Sequence, residues 1–250
     1  MNTTIDSVLF DEACRKMIGQ QQGLNGIGTL REKTVHSVLK YYYAPNPNYH
    51  EIKIGDYVAD ICVDGEIFEI QTRSFNVMRN KLDYFLKHYD VTIIYPVPYT
   101  KWISWLDMET GELSAKRKSP KKGTIYNIIP ELYKIKMFIH NPNLHFIIPL
   151  INVEEIRYLN GWSRNKKRGS SRMDGTPTEI VEEYRIDSFN DYLQFIPDEI
   201  PDKFTSKDLS KIAKIPQNRA STLLNILLET DIIKRTGKQG NSYIYQRKSQ

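Results

Sequence analysis

Asp60 and Glu69 are separated by eight residues, with Gln71 two places after Glu69, and the dipeptide Asp64-Gly65 lies between the two acids. Asp-Gly favours a two-residue hairpin turn, because both central positions of a type I′ turn need positive φ. With that turn Val63 pairs with Glu66, and the register runs back to set Asp60 opposite Glu69. Directly opposed residues have Cβ atoms about 4.5–5.5 Å apart, and Gln71 falls on the same face opposite Val58. Two carboxylates so placed repel, and a shared proton, a basic neighbour or a bound cation must offset the repulsion. A hard divalent ion, Mg²⁺ or Mn²⁺, suits such a pair, with water filling its other positions. An ion held there polarises a phosphodiester and lowers the pKa of an attacking water, which is hydrolysis of the nucleic-acid type. Val58, Cys62 and Ile67 share the face, so the carboxylates are expected among apolar neighbours. The competing reading is an ordinary strand face with solvated acids, since the spacing by itself is a weak signal.

The elements around this pair have their own periodicities. Leu30, Thr34, Val35, Val38, Leu39 and Tyr42 recur at helical spacing over about 29–43, and APNPN stops that helix with two prolines. Glu32 and His36 share one of its faces, one turn apart. HEIKIGDYVADICVDGEIFEIQTR then reads as extended chain throughout. Met78, Leu82, Phe85 and Leu86 form one apolar stripe over about 75–89, and DVTIIYPVP reads as a buried strand. Helix, strand, hairpin, helix and strand make an α/β layer arrangement around a mixed central sheet. The first dozen residues suit a short helix, broken by the glycines of QQQGLNGIG.

Asp60, eight residues, then Glu69-Ile-Gln71 resembles the Asp-x(n)-Glu-x-Lys signature of the PD-(D/E)xK, or restriction-endonuclease-like, phosphodiesterases, over approximately residues 28–97. The resemblance implies an αβββαβ core, Asp60 and Glu69 as metal ligands for Mg²⁺ or Mn²⁺, and Glu32 as the helical glutamate of many members. Gln71 stands where the family carries lysine. An amide orients a water but supplies no positive charge. Some members carry glutamine there, and others recruit a basic group from the following helix, for which Arg73, Arg79 and Lys81 are the candidates, with His36 as a further supporting group. The same departure fits a descendant that binds nucleic acid without cutting it.

Residues 203–250 hold 10 Lys or Arg against 3 Asp or Glu, a local charge of +7, whereas residues 1–202 hold 25 against 27, or −2. The basic excess therefore favours an acidic partner for the C-terminal end. There Thr205 or Ser206 suits an N-cap, Ile215-Pro216 a break, and Ala220, Leu223, Leu224, Leu227 and Leu228 one face of a helix ending near Glu229. DIIKRT and SYIYQR flank GKQGN as a hairpin. Helix, turn, helix and hairpin resembles the winged-helix family. That resemblance implies a recognition helix presenting Gln217, Asn218, Arg219, Ser221 and Thr222 to the major groove, and a wing whose Lys234, Arg235 and Lys238 reach phosphates. Winged helices also serve as protein-interaction modules. Two further basic runs, 116–122 and 164–172, read as exposed loops. Lys166, Lys167, Arg168 and Arg172 of the second suit backbone contacts, or a solvated linker.

A chain of 250 residues with 40% hydrophobic and 26% charged residues is ordinary for a globular protein. No stretch reaches the roughly 20 apolar residues of a membrane helix, and the start lacks the zones of a signal peptide, so a soluble cytoplasmic protein without a membrane partner is expected. Two cysteines, Cys14 and Cys62, exclude a disulfide scaffold and a thiolate zinc site. The expected organisation is a nuclease-like domain over 1–160, a basic loop or linker over 161–185 and a winged-helix domain over 186–250. The expected partner is nucleic acid, DNA before RNA, with a homodimer if both strands are cut.

Overall fold

The computed structural model describes residues 5–24, 33–107, 109–158 and 171–248. In chain order the elements begin α1 (Ser7–Leu24), α2 (Lys33–Tyr43), β1 (His50–Ile54), β2 (Tyr57–Val63), β3 (Glu66–Ile70), α3 (Arg79–Phe85) and β4 (Asp90–Ile94). They continue with β5 (Val97–Leu106), β6 (Arg117–Lys118), α4 (Ile129–Lys134), β7 (Leu144–Tyr158) and β8 (Ser171–Ile186). The chain closes with β9 (Lys203–Phe204), α5 (Ser206–Ile212), α6 (Gln217–Glu229), β10 (Ile233–Gln239) and β11 (Ser242–Arg247). Eight strands make one mixed sheet and three make a second, with helices packed around them, so the class is α/β. From α2 to β4 the order is the expected αβββαβ. The chain forms two compact units, one of Met1–Cys62, Pro96–Thr124 and Pro149–Glu183, the other of Val63–Tyr95, Ile125–Ile148 and Tyr184–Gln250.

In the first unit α2 turns Val38 and Leu39, both fully buried, toward the core, and α1 answers with Phe10 and Ala13. Phe10 meets the Tyr42 ring edge-on at 5.5 Å. Helix α1 is longer than the sequence suggested and runs through Gln20–Gln22 to Leu24. Gln is a good helix former, and an interior glycine costs only about 1 kcal/mol. Strands β1 and β2 form an antiparallel hairpin of their own, turning at Gly55 (φ 59) with Ile54 opposite Tyr57 and Ile52 opposite Ala59. The reading of this segment as unbroken extended chain missed that turn. Ala59 and Ile61 point into the core, whereas Val58 is 50% exposed. The face of Asp60 is therefore less apolar than expected, because β2 buries its odd-numbered residues.

Further along the same unit, β5 runs parallel to the second half of β7, from Val97 opposite Leu150 to Leu106 opposite Tyr158, with a bulge between Pro98 and Lys101. The basic run 116–122 is exposed apart from half-buried Ser119, and contributes β6, paired with Trp102 and Ile103. β8 occupies Ser171–Ile186, where the sequence suggested loop or linker as far as 185. Its Ile180 is buried, as is Ile186, which belongs to the second unit.

In the second unit β3, β4 and the first half of β7 are parallel neighbours, with Glu69 opposite Ile93 and Ile93 opposite Phe146. The connection from β3 to β4 carries α3, whose Leu82 and Phe85 are fully buried. Each such burial contributes about 1.5–3 kcal/mol. The helix is shorter than its apolar stripe suggested: Phe75–Met78 is a 3-10 turn and the α-helix stops at Phe85. The C-terminal elements of this unit include α5, capped by Thr205 and Asp208 in a reciprocal capping box. Helix α6 buries Ala220, Leu223, Leu224, Ile226 and Leu227, and the three-stranded sheet has the order β10-β11-β9.

Candidate functional site

Asp60 sits on β2, half-buried, and accepts a hydrogen bond of 3.1 Å from Nε2–H of His36. His36 reaches it from the second turn of α2, and Lys40 follows one turn later on the same helix. Asp60 lies across from Glu51, because His50 pairs with Ile61 and Ile52 with Ala59. Glu51 is a non-glycine residue at φ 54 inside a strand, a conformation that costs of order 1–3 kcal/mol and must be held by its surroundings. Its carboxylate meets Lys40, itself only 8% exposed, whose Nζ donates to Glu51 Oε1 at 2.9 Å. That hydrogen bond and the ammonium charge hold the Glu51 carboxyl below its ordinary value, against the opposing charge of Asp60. After β2 the chain turns at Asp64 (φ 49) and Gly65 (φ 87), the two positive values that a type I′ turn requires.

In the second unit Glu69 is buried to 5% exposure on β3. Lys81 Nζ donates to its Oε2 at 2.6 Å and lies 5.6 Å from the centre of the Phe85 ring. The first turn of α3 thus supplies a cation to the second carboxylate of the motif. Arg79, two residues earlier, points elsewhere: its guanidinium donates to the carbonyl oxygen of Lys134, at 2.7 Å from Nε. Arg73 is exposed. Gln71 is half-buried just past β3, and its backbone N–H donates to Ile94 O at 2.9 Å, which extends the pairing with β4 by one residue. Glu32 lies outside the described residues.

Oxygen is the ligand chemistry on offer at these positions: the carboxylates of Asp60 and Glu69 and the amide of Gln71. Carboxylate and amide oxygens are the ligand types that a hard cation takes. Among the described residues no group of three or more His, Cys, Asp or Glu is placed to bind a metal ion. The cysteines do not compete. Cys14 donates to Pro177 O, and burial, aided by the charge of Asp11, pushes its thiol up to about 11. Burial also raises Cys62.

Lys166, Lys167 and Arg168 lie outside the described residues, and Arg172 falls at the start of β8. On α6, Gln217 donates to Ser206 Oγ at 2.8 Å, while Ser221 is half-buried. Asn218, Arg219 and Thr222 line a cleft of about 510 Å³ with Ile129, Pro130, Tyr133 and Lys134 of α4. Lys136 ties the other end of α6 through Glu229 at 2.7 Å. The front half of α6 therefore faces α4 on one side and is not bare all round. The β10–β11 hairpin is more open. Lys234, Arg235 and Lys238 are exposed on β10, and Arg235 and Lys238 lie 4.3 and 4.9 Å from the centre of the Tyr243 ring.

Sequence reasoning missed Glu51 and Lys40. A signal for both existed: the Gly55-Asp56 turn sets Glu51 across from Asp60, and Lys40 follows His36 by four residues. It also missed Glu155, 2% exposed on β7, which Arg157 Nε reaches at 2.6 Å and Lys101 Nζ approaches at 3.6 Å. No local pattern marks that residue.

Comparison with known proteins places these residues in a family without assigning them a role. An uncharacterized protein of Treponema pallidum (strain Nichols) is 25% identical over 222 residues, covering 88% of this chain and 87% of its own. No solved structure matches the chain. Residues 33–187, from the start of α2 to just past β8, match the family described as Domain of unknown function (DUF8091), and at well over half of its length the chain belongs to that family.

Proposed function

We propose that this chain is a metal-dependent phosphodiesterase acting on nucleic acid, with DNA the substrate, in the cytoplasm. The observation that carries the reading is Lys81 on Glu69. The signature resembled by Asp60, Glu69 and Gln71 wants a cation beside its second carboxylate, and α3 brings one where position 71 does not. In this reading Asp60 and Glu69 hold Mg²⁺ or Mn²⁺, with Glu32 in support. A bound ion of this kind supplies Lewis-acid polarisation of the phosphodiester and a water of lowered pKa. Gln71 orients that water, Lys81 stabilises charge developing on the phosphate, and His36 fixes the rotamer of Asp60. The strand, helices and hairpin of residues 203–247 act as a winged helix whose wing, through Lys234, Arg235 and Lys238, holds phosphates. Cutting both strands calls for two such sites and hence a homodimer, to be read by analytical ultracentrifugation.

A second reading, a nucleic-acid-binding regulator without catalysis, is favoured by one observation: each carboxylate already has a basic partner, His36 for Asp60 and Lys81 for Glu69. Incubation with DNA and RNA in Mg²⁺ or Mn²⁺ separates the two. Cleavage lost in Asp60→Ala and Glu69→Ala supports the enzyme, and cleavage that survives Asp60→Ala excludes this site. DNA binding with no calorimetric Mn²⁺ binding supports the regulator.

A further inference from the structure

The first unit contains a cleft of about 390 Å³ bounded by α1, α2 and β1, lined by Lys16, Ser37, Lys40, Tyr41, His50 and Glu51 among others. Two of its lining residues are cations, Lys16 and Lys40, while the Tyr41 hydroxyl already donates to Glu12 Oε1 at 2.8 Å. Lys40 brings an ammonium on a buried stem. Lys16, exposed on α1, lies 4.2 Å from the centre of the Tyr41 ring, and its Nζ donates to the Tyr41 hydroxyl at 3.2 Å. Ser37 adds a hydroxyl one turn before Tyr41. His50 is turned away, its Nε2–H donating to Ala44 O at 2.7 Å.

Among the described residues, the anion that answers Lys40 is the carboxylate of Glu51. It is an unusual partner. The Glu51 side chain is 72% exposed, and its backbone adopts φ 54 where it delivers that carboxylate. A group that is solvated, strained and bound through one oxygen is exchangeable, whereas the buried ammonium always needs an anion near it. A phosphate entering from solvent meets that need with more oxygens than Glu51 offers, and it lets Glu51 relax.

We propose that this cleft is a phosphate-binding subsite for the nucleic-acid backbone, with Lys40 and Lys16 as its cations, and that Glu51 is a built-in competitor occupying it until substrate arrives. The subsite deepens the nuclease reading and rests on it for the choice of backbone phosphate over free phosphate. Glu51 lies across from Asp60, so a phosphate in its place is a neighbour of the one proposed to be cut. Substrate engagement then depends on displacing an internal anion, which disfavours weakly held ligands.

The test is fluorescence anisotropy of a labelled oligonucleotide with the full chain in EDTA, where hydrolysis does not compete. Glu51→Gln keeps the side-chain size and removes a like charge, and is expected to tighten binding about fivefold or more. Lys16→Gln, a surface change, is expected to weaken it and to lower the salt slope by about 1. Lys40→Met keeps the buried stem and, added to Glu51→Gln, is expected to abolish the gain. Millimolar inorganic phosphate is expected to compete with the oligonucleotide in Glu51→Gln. Should Lys40→Met fail to fold, the other two variants decide the matter. Unchanged oligonucleotide affinity in both overturns the subsite. Phosphate binding that strengthens in Glu51→Gln while oligonucleotide affinity stays constant overturns the backbone assignment and leaves a free-phosphate site. A wild-type chain inactive in Mg²⁺ with the Glu51→Gln gain intact defeats the nuclease reading and not the subsite. Cleavage without that gain does the reverse.

Discussion

Lys81 Nζ and Glu69 Oε2 are 2.6 Å apart, the ammonium on the first turn of α3 and the carboxylate buried on β3. Removing the ammonium takes a charged partner from a mostly buried carboxylate. Lys81→Met is therefore expected to cost about 3 kcal/mol in urea unfolding. If the ammonium also stabilises the transition state, cleavage falls about 100-fold. The double variant with Glu69→Gln recovers stability and not activity. Loss of stability with cleavage unchanged would leave Lys81 a purely structural role.

The start of α5 gives a pH dependence. The Thr205 backbone N–H and hydroxyl both donate to Asp208 Oδ2 at 2.8 Å, and the backbone bond, then the hydroxyl, hold that carboxyl below its ordinary value. A folded-state pKa that is depressed contributes stability above the ordinary carboxylate range, and the contribution disappears as pH falls through the lowered value. Urea unfolding from pH 7 downward is expected to show the margin of wild type over Asp208→Asn closing in acid. Thr205→Ala is expected to cost about 1 kcal/mol at neutral pH.

Gly123 lies against the bulge in β5. A Cβ there would stand 2.2 Å from Pro98 O, a backbone atom that cannot move aside, while the Gly123 N–H donates to Tyr99 O at 2.9 Å. Gly123→Ala is expected to destabilise by about 2–3 kcal/mol, as overpacking does. A thermal melt within a degree of wild type would contradict the close approach.

On β10, Lys234, Arg235 and Lys238 are surface cations with no core role. Each replaced by Ala is expected to leave unfolding within about 0.5 kcal/mol of wild type. If the wing holds phosphates, each also weakens DNA binding irrespective of sequence and lowers the salt slope by about 1. A slope unchanged in the triple variant would move DNA contact away from the β10–β11 hairpin.

What the amino-acid sequence determined by itself was local. Asp64-Gly65 demanded a two-residue turn because few residues adopt positive φ cheaply, Thr205 capped α5 because its hydroxyl reaches a backbone N–H, and α6 ended near Glu229 because its apolar period ends there. Tertiary structure decided which cation serves which acid. Arg73, Arg79 and Lys81 were equivalent candidates along the chain, and the packing of Leu82 and Phe85 rotates α3 so that Lys81 faces Glu69 while Arg79 meets the Lys134 carbonyl. Glu51 illustrates the same limit. Its left-handed backbone runs against the local preference of glutamate, and its carboxylate meets Lys40, eleven residues away. Turns and caps follow from energies within a few residues, whereas ion pairs follow from where whole elements pack.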